Sequence, residues 1–281
     1  MEGVMMRGRD VVALAVRKPS GEIVVHTEPL TGLLYASRWM KLPFLRGLVR
    51  LWDALILGTR MLLLSANLAL VESGEGAELT GPLAWGTLAL SLGMGVTIFF
   101  LIPAFLVSFL DVYMSSSLLS NTLEGAIRLG ILVGYLGLMG RLPDVRRLFA
   151  YHGAEHKTIN AYEDGASLEP EVVSAYSSAH LRCGTSFLLV VVVLTVLLFA
   201  FLGRPPLLLR LASRMLLLPL IAGISYEVIR FSAAHRTNFL IRLLLAPNLA
   251  LQRLSTREPD ESMLEVAITA LKRVLAGEGS L

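Results

Sequence analysis

Between Trp85 and Leu110 the chain runs for 26 residues without a charged side chain. About 20 apolar residues are enough for a helix to cross the hydrocarbon core of a bilayer. Such a segment is either a membrane span or the centre of a large soluble core, and composition decides between them. Of the 281 residues, 54% are hydrophobic and 17% charged, against about 25% charged in soluble domains. This excludes an ordinary soluble enzyme and a disordered chain. The single cysteine, Cys183, excludes a disulfide scaffold. A scattered formal charge of +3 does not fit a nucleic-acid binder. An integral membrane protein with material outside the bilayer remains.

Four spans are expected: Trp85–Leu110, Leu123–Leu142, Thr185–Leu202 and Leu207–Phe231. Pro103 in the first is tolerable where a neighbour takes up the carbonyl it frees. In the second, Glu124 and Arg128 are read as lying in the first turns, and Gly130, Gly134 and Gly137 as a face for close packing. Arg210 and Arg214 are read at one end of the fourth span, Glu227 and Arg230 at the other. Lys and Arg number nine before Trp85, none in 111–122, five in 140–184, one in 203–206 and six after Phe231. By the positive-inside rule both termini and the central loop are cytoplasmic.

Phe44–Val71 is apolar but contains Arg46, Arg50, Asp53 and Arg60. Making it a span would break the charge pattern, so it is read as an amphipathic helix at the cytoplasmic interface. A re-entrant hairpin is the alternative. With charged first residues and no apolar h-region, no cleavable signal peptide is expected. Val11–Val16 and Glu22–Thr27 are β-rich and flank Lys18-Pro19-Ser20-Gly21, the pattern of a hairpin. Near the C-terminus, Phe239–Leu254 is apolar with Arg242 and Arg253, is broken by Pro247 and is expected on the membrane surface. Glu258-Pro259-Asp260-Glu261 then opens a helix. Its stripe of Met263, Val266, Ala267, Ala270, Leu271 and Val274 is expected to pack on the N-terminal cap.

The fold class expected is mainly α. It is a polytopic membrane protein of about four spans, with amphipathic interfacial helices and a small N-terminal β-hairpin cap. It divides into a cap (1–30), an interfacial region (31–84), a four-span domain (85–231) whose loop 141–184 carries the candidate site, and C-terminal helices (232–281).

That loop holds three of the five histidines. In Tyr151-His152-Gly153-Ala154-Glu155-His156 the histidines are four apart, on one helical face, where both can reach one metal ion. The order H-x-x-E-H is that of inverzincin metalloproteases, in which the glutamate is a general base. At about 100° per residue, Glu163 falls within about 40° of both histidines and Glu155 lies about 60° aside. His180 and Cys183 follow before the third span, and His-x-x-Cys is compatible with metal ligation. Cys183 can alternatively be a nucleophile with His156 or His180 as its base. Glu227 can reach the same site or pair with Arg230 or Arg182. The plainer readings are a solvated Glu163, a packed Cys183 and an ion-paired Glu227.

Several longer strings carry a resemblance: Glu2-Gly3-Val4-Met5-Met6-Arg7-Gly8, Tyr151-His152-Gly153-Ala154-Glu155-His156-Lys157-Thr158-Ile159, His180-Leu181-Arg182-Cys183-Gly184-Thr185-Ser186-Phe187, Leu218-Pro219-Leu220-Ile221-Ala222-Gly223-Ile224-Ser225-Tyr226-Glu227 and Leu254-Ser255-Thr256-Arg257-Glu258-Pro259-Asp260. With these the chain resembles the DUF1385 family of YqhQ-like bacterial membrane proteins, described as predicted metal-dependent enzymes. Position 181 is Leu where that family usually has Pro. The resemblance implies a multi-span protein of the bacterial inner membrane with a metal site on the His152, Glu155, His156 stretch.

The function expected is that of a membrane-embedded hydrolase using a divalent metal such as Zn²⁺. His152 and His156 are ligands and Glu155 the general base. Glu163, His180, Cys183 and Glu227 are candidates for further ligation. The expected partners are membrane lipid and a lipid-linked or membrane-peptide substrate, not nucleic acid. The alternative is a non-enzymatic scaffold, assembly factor or transporter in which the same cluster is a structural metal site or a hydrogen-bonded network.

Overall fold

A computed structural model of the chain describes residues 3–31, 42–73, 81–181, 183–235 and 238–279. At the N-terminus, β1 (Gly3–Arg7), β2 (Val11–Arg17) and β3 (Ile23–Pro29) form an antiparallel sheet in the order β1-β2-β3. Gly3 pairs with Val16 and Val11 with Pro29. The expected hairpin is β2–β3, whose turn closes with Gly21 at φ 91°, a conformation open to glycine at no steric cost. β1 is an addition to it, and its buried Val4 and Met6 show why it pairs.

β2 is buried on both faces. Val12, Leu14 and Val16 meet Leu57 and Met61 of α1 (Leu45–Ser73). On the other face, Ala13 and Ala15 pack with α10 (Glu261–Gly277) and α5 (Pro143–Glu163). The expected stripe of α10 is buried there from Met263 to Val274. Asp260 caps α10 by accepting from the Met263 N–H at 3.0 Å, which satisfies a donor of the first turn.

α1 is packed on the rest of the protein at its start and along its middle. It starts against α8 (Leu207–Ala234), where a Cβ on Gly223 would stand 2.9 Å from the Phe44 carbonyl oxygen. Its middle, at Leu57 and Met61, packs on the sheet. Two of its charges have protein partners rather than headgroups: Arg46 pairs with Glu227, and Asp53 with Arg7 at 2.8 Å.

Among the described residues, four helical stretches are long and apolar enough to cross a membrane: Trp85–Tyr113, Ser117–Met139, Gly184–Leu202 and Leu207–Ala234. The first joins α2 (Gly81–Val96) to α3 (Ile102–Leu110) through a π turn at Thr97–Leu101. The others are α4 (Ser117–Met139), α7 (Gly184–Leu202) and α8. Between them lie α5 and the short α6 (Pro170–Ser174); α9 (Phe239–Ser255) follows α8. Pro103 has no N–H to offer the Phe99 carbonyl one turn back, and Arg128 Nε donates to that carbonyl at 2.7 Å instead.

Two expectations about the spans need correction. Because α4 begins at Ser117, Glu124 lies two turns inside it and Arg128 at its midpoint, not in the first turns. Both are buried, as are Arg210 and Arg214. Glu124 accepts from all three arginines, and Asp111 also pairs with Arg210. The glycines of α4 are the second case. Gly130, Gly134 and Gly137 face open space within 4 Å, while Gly125 is the close-packed one, its missing Cβ lying 2.1 Å from Val196 Cγ2.

α9 is continuous through Pro247 rather than broken there. It is not merely a surface helix, since Leu251 packs with Leu132, Leu136 and Val192 of the spans. Its C-terminus leads into Arg257, whose N–H donates to the Phe149 carbonyl at 2.9 Å. There a Cβ on Gly153 would stand 2.1 Å from the Arg257 carbonyl oxygen. Gly153→Ala therefore forces α5 off the 255–259 segment and is expected to cost about 1–3 kcal/mol, the usual penalty of overpacking. A lowered thermal midpoint in detergent is the expected readout, and an unchanged midpoint contradicts this packing.

Candidate metal centre

The centre forms where α5, the start of α7 and the end of α9 converge beneath the sheet. On α5, His152 and His156 are one turn apart, with ring centroids at 4.3 Å. Cys183 is the N-cap of α7. Ligand atoms of His152, His156 and Cys183 lie within 4.8 Å of one another, close enough to converge on one ion.

The backbone fixes both imidazoles. His152 Nδ1 is 2.8 Å from the Ser255 carbonyl oxygen and His156 Nδ1 is 2.7 Å from that of Ser178. A carbonyl can only accept, so both Nδ1 atoms carry hydrogen and both Nε2 atoms are left to face the centre. This is the usual outer support of a metal-ligating histidine. His152 Nε2 is 3.3 Å from Cys183 Sγ, and Sγ also meets Thr185 Oγ1 at 3.1 Å.

The charges favour a thiolate. Burial pushes the Cys183 thiol up, but hydrogen bonds from His152 and His156, with their charges, bring it down to about 5. Its place at a helix N-terminus acts in the same direction. Burial also opposes the charge on His152, yet the bond to Cys183 and the thiolate's charge raise it to about 9. Glu155 lines the same cleft of about 520 Å³. Burial pushes its carboxyl above the usual range, against the pull of His152 and His156. A carboxyl moved this way is better matched to a proton-accepting role.

The other candidates divide. Glu163 and His180 pair with each other at 3.3 Å beside the cluster, with the His180 ring 5.8 Å from that of His156. Both line the cleft but stand outside the group of three. Glu227 is committed elsewhere, to Arg46 and to the Phe44 N–H. Arg182, weighed above as its partner, lies outside the described residues.

Gln252 of α9 was not anticipated. Its Oε1 accepts from the His180 N–H at 2.9 Å, while its Nε2 donates to the His180 carbonyl at 2.9 Å and to Ser186 Oγ at 2.7 Å. The amide thus ties the loop bearing Ser178, His180 and Cys183 to the bundle. The signal was present: Asn248 and Gln252 are uncharged polar residues four apart, and so on one face of a mostly apolar helix. Gln252→Ala is expected to weaken metal binding about 10–100-fold, as loss of an outer support does. Competition with a chromophoric chelator measures this, and an unchanged affinity would remove Gln252 from the account.

The fold and the site together define a polytopic helical membrane protein with a buried His/Cys cluster under a small sheet. Residues 42–277 match the family described as a protein of unknown function, DUF1385. The chain is 32% identical over 286 positions, covering 98% of this chain and 90% of the relative, to an uncharacterized protein YqhQ of Bacillus subtilis (strain 168). It therefore belongs to the DUF1385 family. No solved structure matches it.

Proposed function

We propose that the protein is a metal-dependent hydrolase of the bacterial inner membrane whose centre faces the cytoplasm. The observation that carries this is the convergence of two oriented imidazoles and a cysteine sulfur, with an acid beside them. Three protein ligands leave a coordination position open, as in catalytic rather than structural zinc sites. The nitrogen and sulfur donors suit Zn²⁺.

His152, His156 and Cys183 would hold a divalent ion, which would supply Lewis acidity and lower the pKa of bound water. Glu155 accepts the proton of the attacking water and returns it to the leaving group. The carbonyls of Ser255 and Ser178 keep the imidazoles aimed at the ion. The spans bring the centre to the bilayer, which suits a lipid-linked or membrane-peptide substrate. The excess of Lys and Arg in the connecting segments on that side supports the cytoplasmic orientation.

A second reading rests on the 3.3 Å contact of Cys183 with His152. Here Cys183 attacks an acyl carbon without a metal, and His152 passes the thiol proton to the leaving group. Water then cleaves the acyl thioester. Metal content of the purified protein, before and after exposure to Zn²⁺, separates the two. The first reading predicts about one ion per chain in the wild type and in Glu155→Gln. A wild type that takes up none defeats it and leaves the thiol reading.

A further inference from the structure

A second cleft of about 540 Å³ lies between α1 and α8 and meets the metal centre at one point. Cys183, Gly184 and Arg7 line both this cleft and the one holding His152, Glu155 and His156. Its wall is apolar, with Leu51, Phe187 and Ile229 from three helices. Its charge is uneven. Arg7, Arg50 and Arg230 line it, and the neighbouring carboxylates, Asp53 and Glu227, are engaged by Arg7 and Arg46. Arg50 and Arg230 are exposed and form no ion pair among the described residues. Arg7 Nε is buried without a hydrogen-bond partner among them. The exposed guanidinium groups of Arg50 and Arg230, with the free Nε of the Asp53-paired Arg7 beside them, are complementary above this apolar wall to a phosphate carrying acyl chains.

We infer that this cleft binds a phosphate-bearing lipid of the adjoining leaflet. Its phosphate sits among Arg7, Arg50 and Arg230, and its chains lie along Leu51, Phe187 and Ile229. The junction at Cys183 then presents the headgroup to the centre. As an assignment of substrate class this rests on the hydrolase reading, but binding itself belongs to the metal-free chain and is tested there.

Cys183 is the only cysteine, so its alkylation reports occupancy directly. The full-length protein in nonionic detergent with EDTA is labelled with a maleimide dye. Dioctanoylphosphatidylglycerol, dioctanoylglycerol or inorganic phosphate is present at matched concentrations. Labelling is expected to slow with the phospholipid only. Arg50→Gln and Arg230→Gln should each raise the half-protecting concentration about tenfold, the loss of one charge-assisted contact. Each variant is compared with its own rate without lipid. Native mass spectrometry of retained lipid gives the same comparison without using the thiol.

Equal protection by dioctanoylglycerol would reduce the cleft to an apolar groove. Protection by phosphate alone would make it a soluble-anion site. Indifference to both arginine changes would remove the phosphate contact, and any of these overturns the inference. Lipid protection in a protein that binds no metal sustains the lipid site while defeating the metal centre.

Discussion

Glu124→Gln is expected to cost the folded protein about 3–5 kcal/mol, the scale of breaking a buried ion pair from one side. Glu124 is 1% exposed and accepts from Arg128, Arg210 and Arg214, at 2.8–3.2 Å. The amide preserves the shape but removes the charge, leaving three buried guanidinium groups with Asp111 as their remaining carboxylate. The arginines have further roles that the substitution does not touch. Arg128 bonds to the Phe99 carbonyl and Thr195, and Arg214 packs over the Phe199 ring at 3.9 Å. The loss should therefore be less than additive with Arg214→Met, because both changes remove the same contact. Unfolding midpoints of the single and double variants in detergent measure it. A wild-type midpoint for Glu124→Gln would mean the cluster does not hold the spans together.

The second large effect is on metal affinity. His152→Ala, His156→Ala and Cys183→Ala are each expected to weaken Zn²⁺ binding roughly 10²-fold or more, given about 10–16 kcal/mol shared among the ligands of a zinc site. His180→Ala and Glu163→Gln should have smaller effects, since those side chains pair with each other beside the His152, His156 and Cys183 group rather than within it. Glu227→Gln should leave metal affinity unchanged, because its carboxylate bonds to Arg46. Chelator competition on the purified variants gives the whole order, and equal losses for Glu227→Gln and His152→Ala would refute the assignment.

The spans were legible because an uninterrupted apolar run is a property of one segment. The charged cluster between them was not, because it depends on pairing across segments. Glu124 meets Arg210 and Arg214 from 86 and 90 positions away, and an average along one helix reads each only as an interruption. His152 and His156 were legible from their spacing on a helix. Cys183 could be named but not chosen over His180 and Glu163, since the choice depends on how the 175–183 loop returns to α5. Gln252 and the carbonyl of Ser178 set that return, and a carbonyl leaves no mark in sequence. Glu227 was drawn toward the site by its depth in the fourth span. The start of α1, whose course the sequence did not reveal, takes it instead.

X-ray absorption at the zinc edge of the loaded, full-length protein tests the central claim most directly. Coordination by His152, His156 and Cys183 predicts one sulfur at about 2.3 Å and two imidazole nitrogens at about 2.0–2.1 Å. The sulfur contribution should vanish in Cys183→Ala. A spectrum with only nitrogen and oxygen neighbours in the wild type would contradict it.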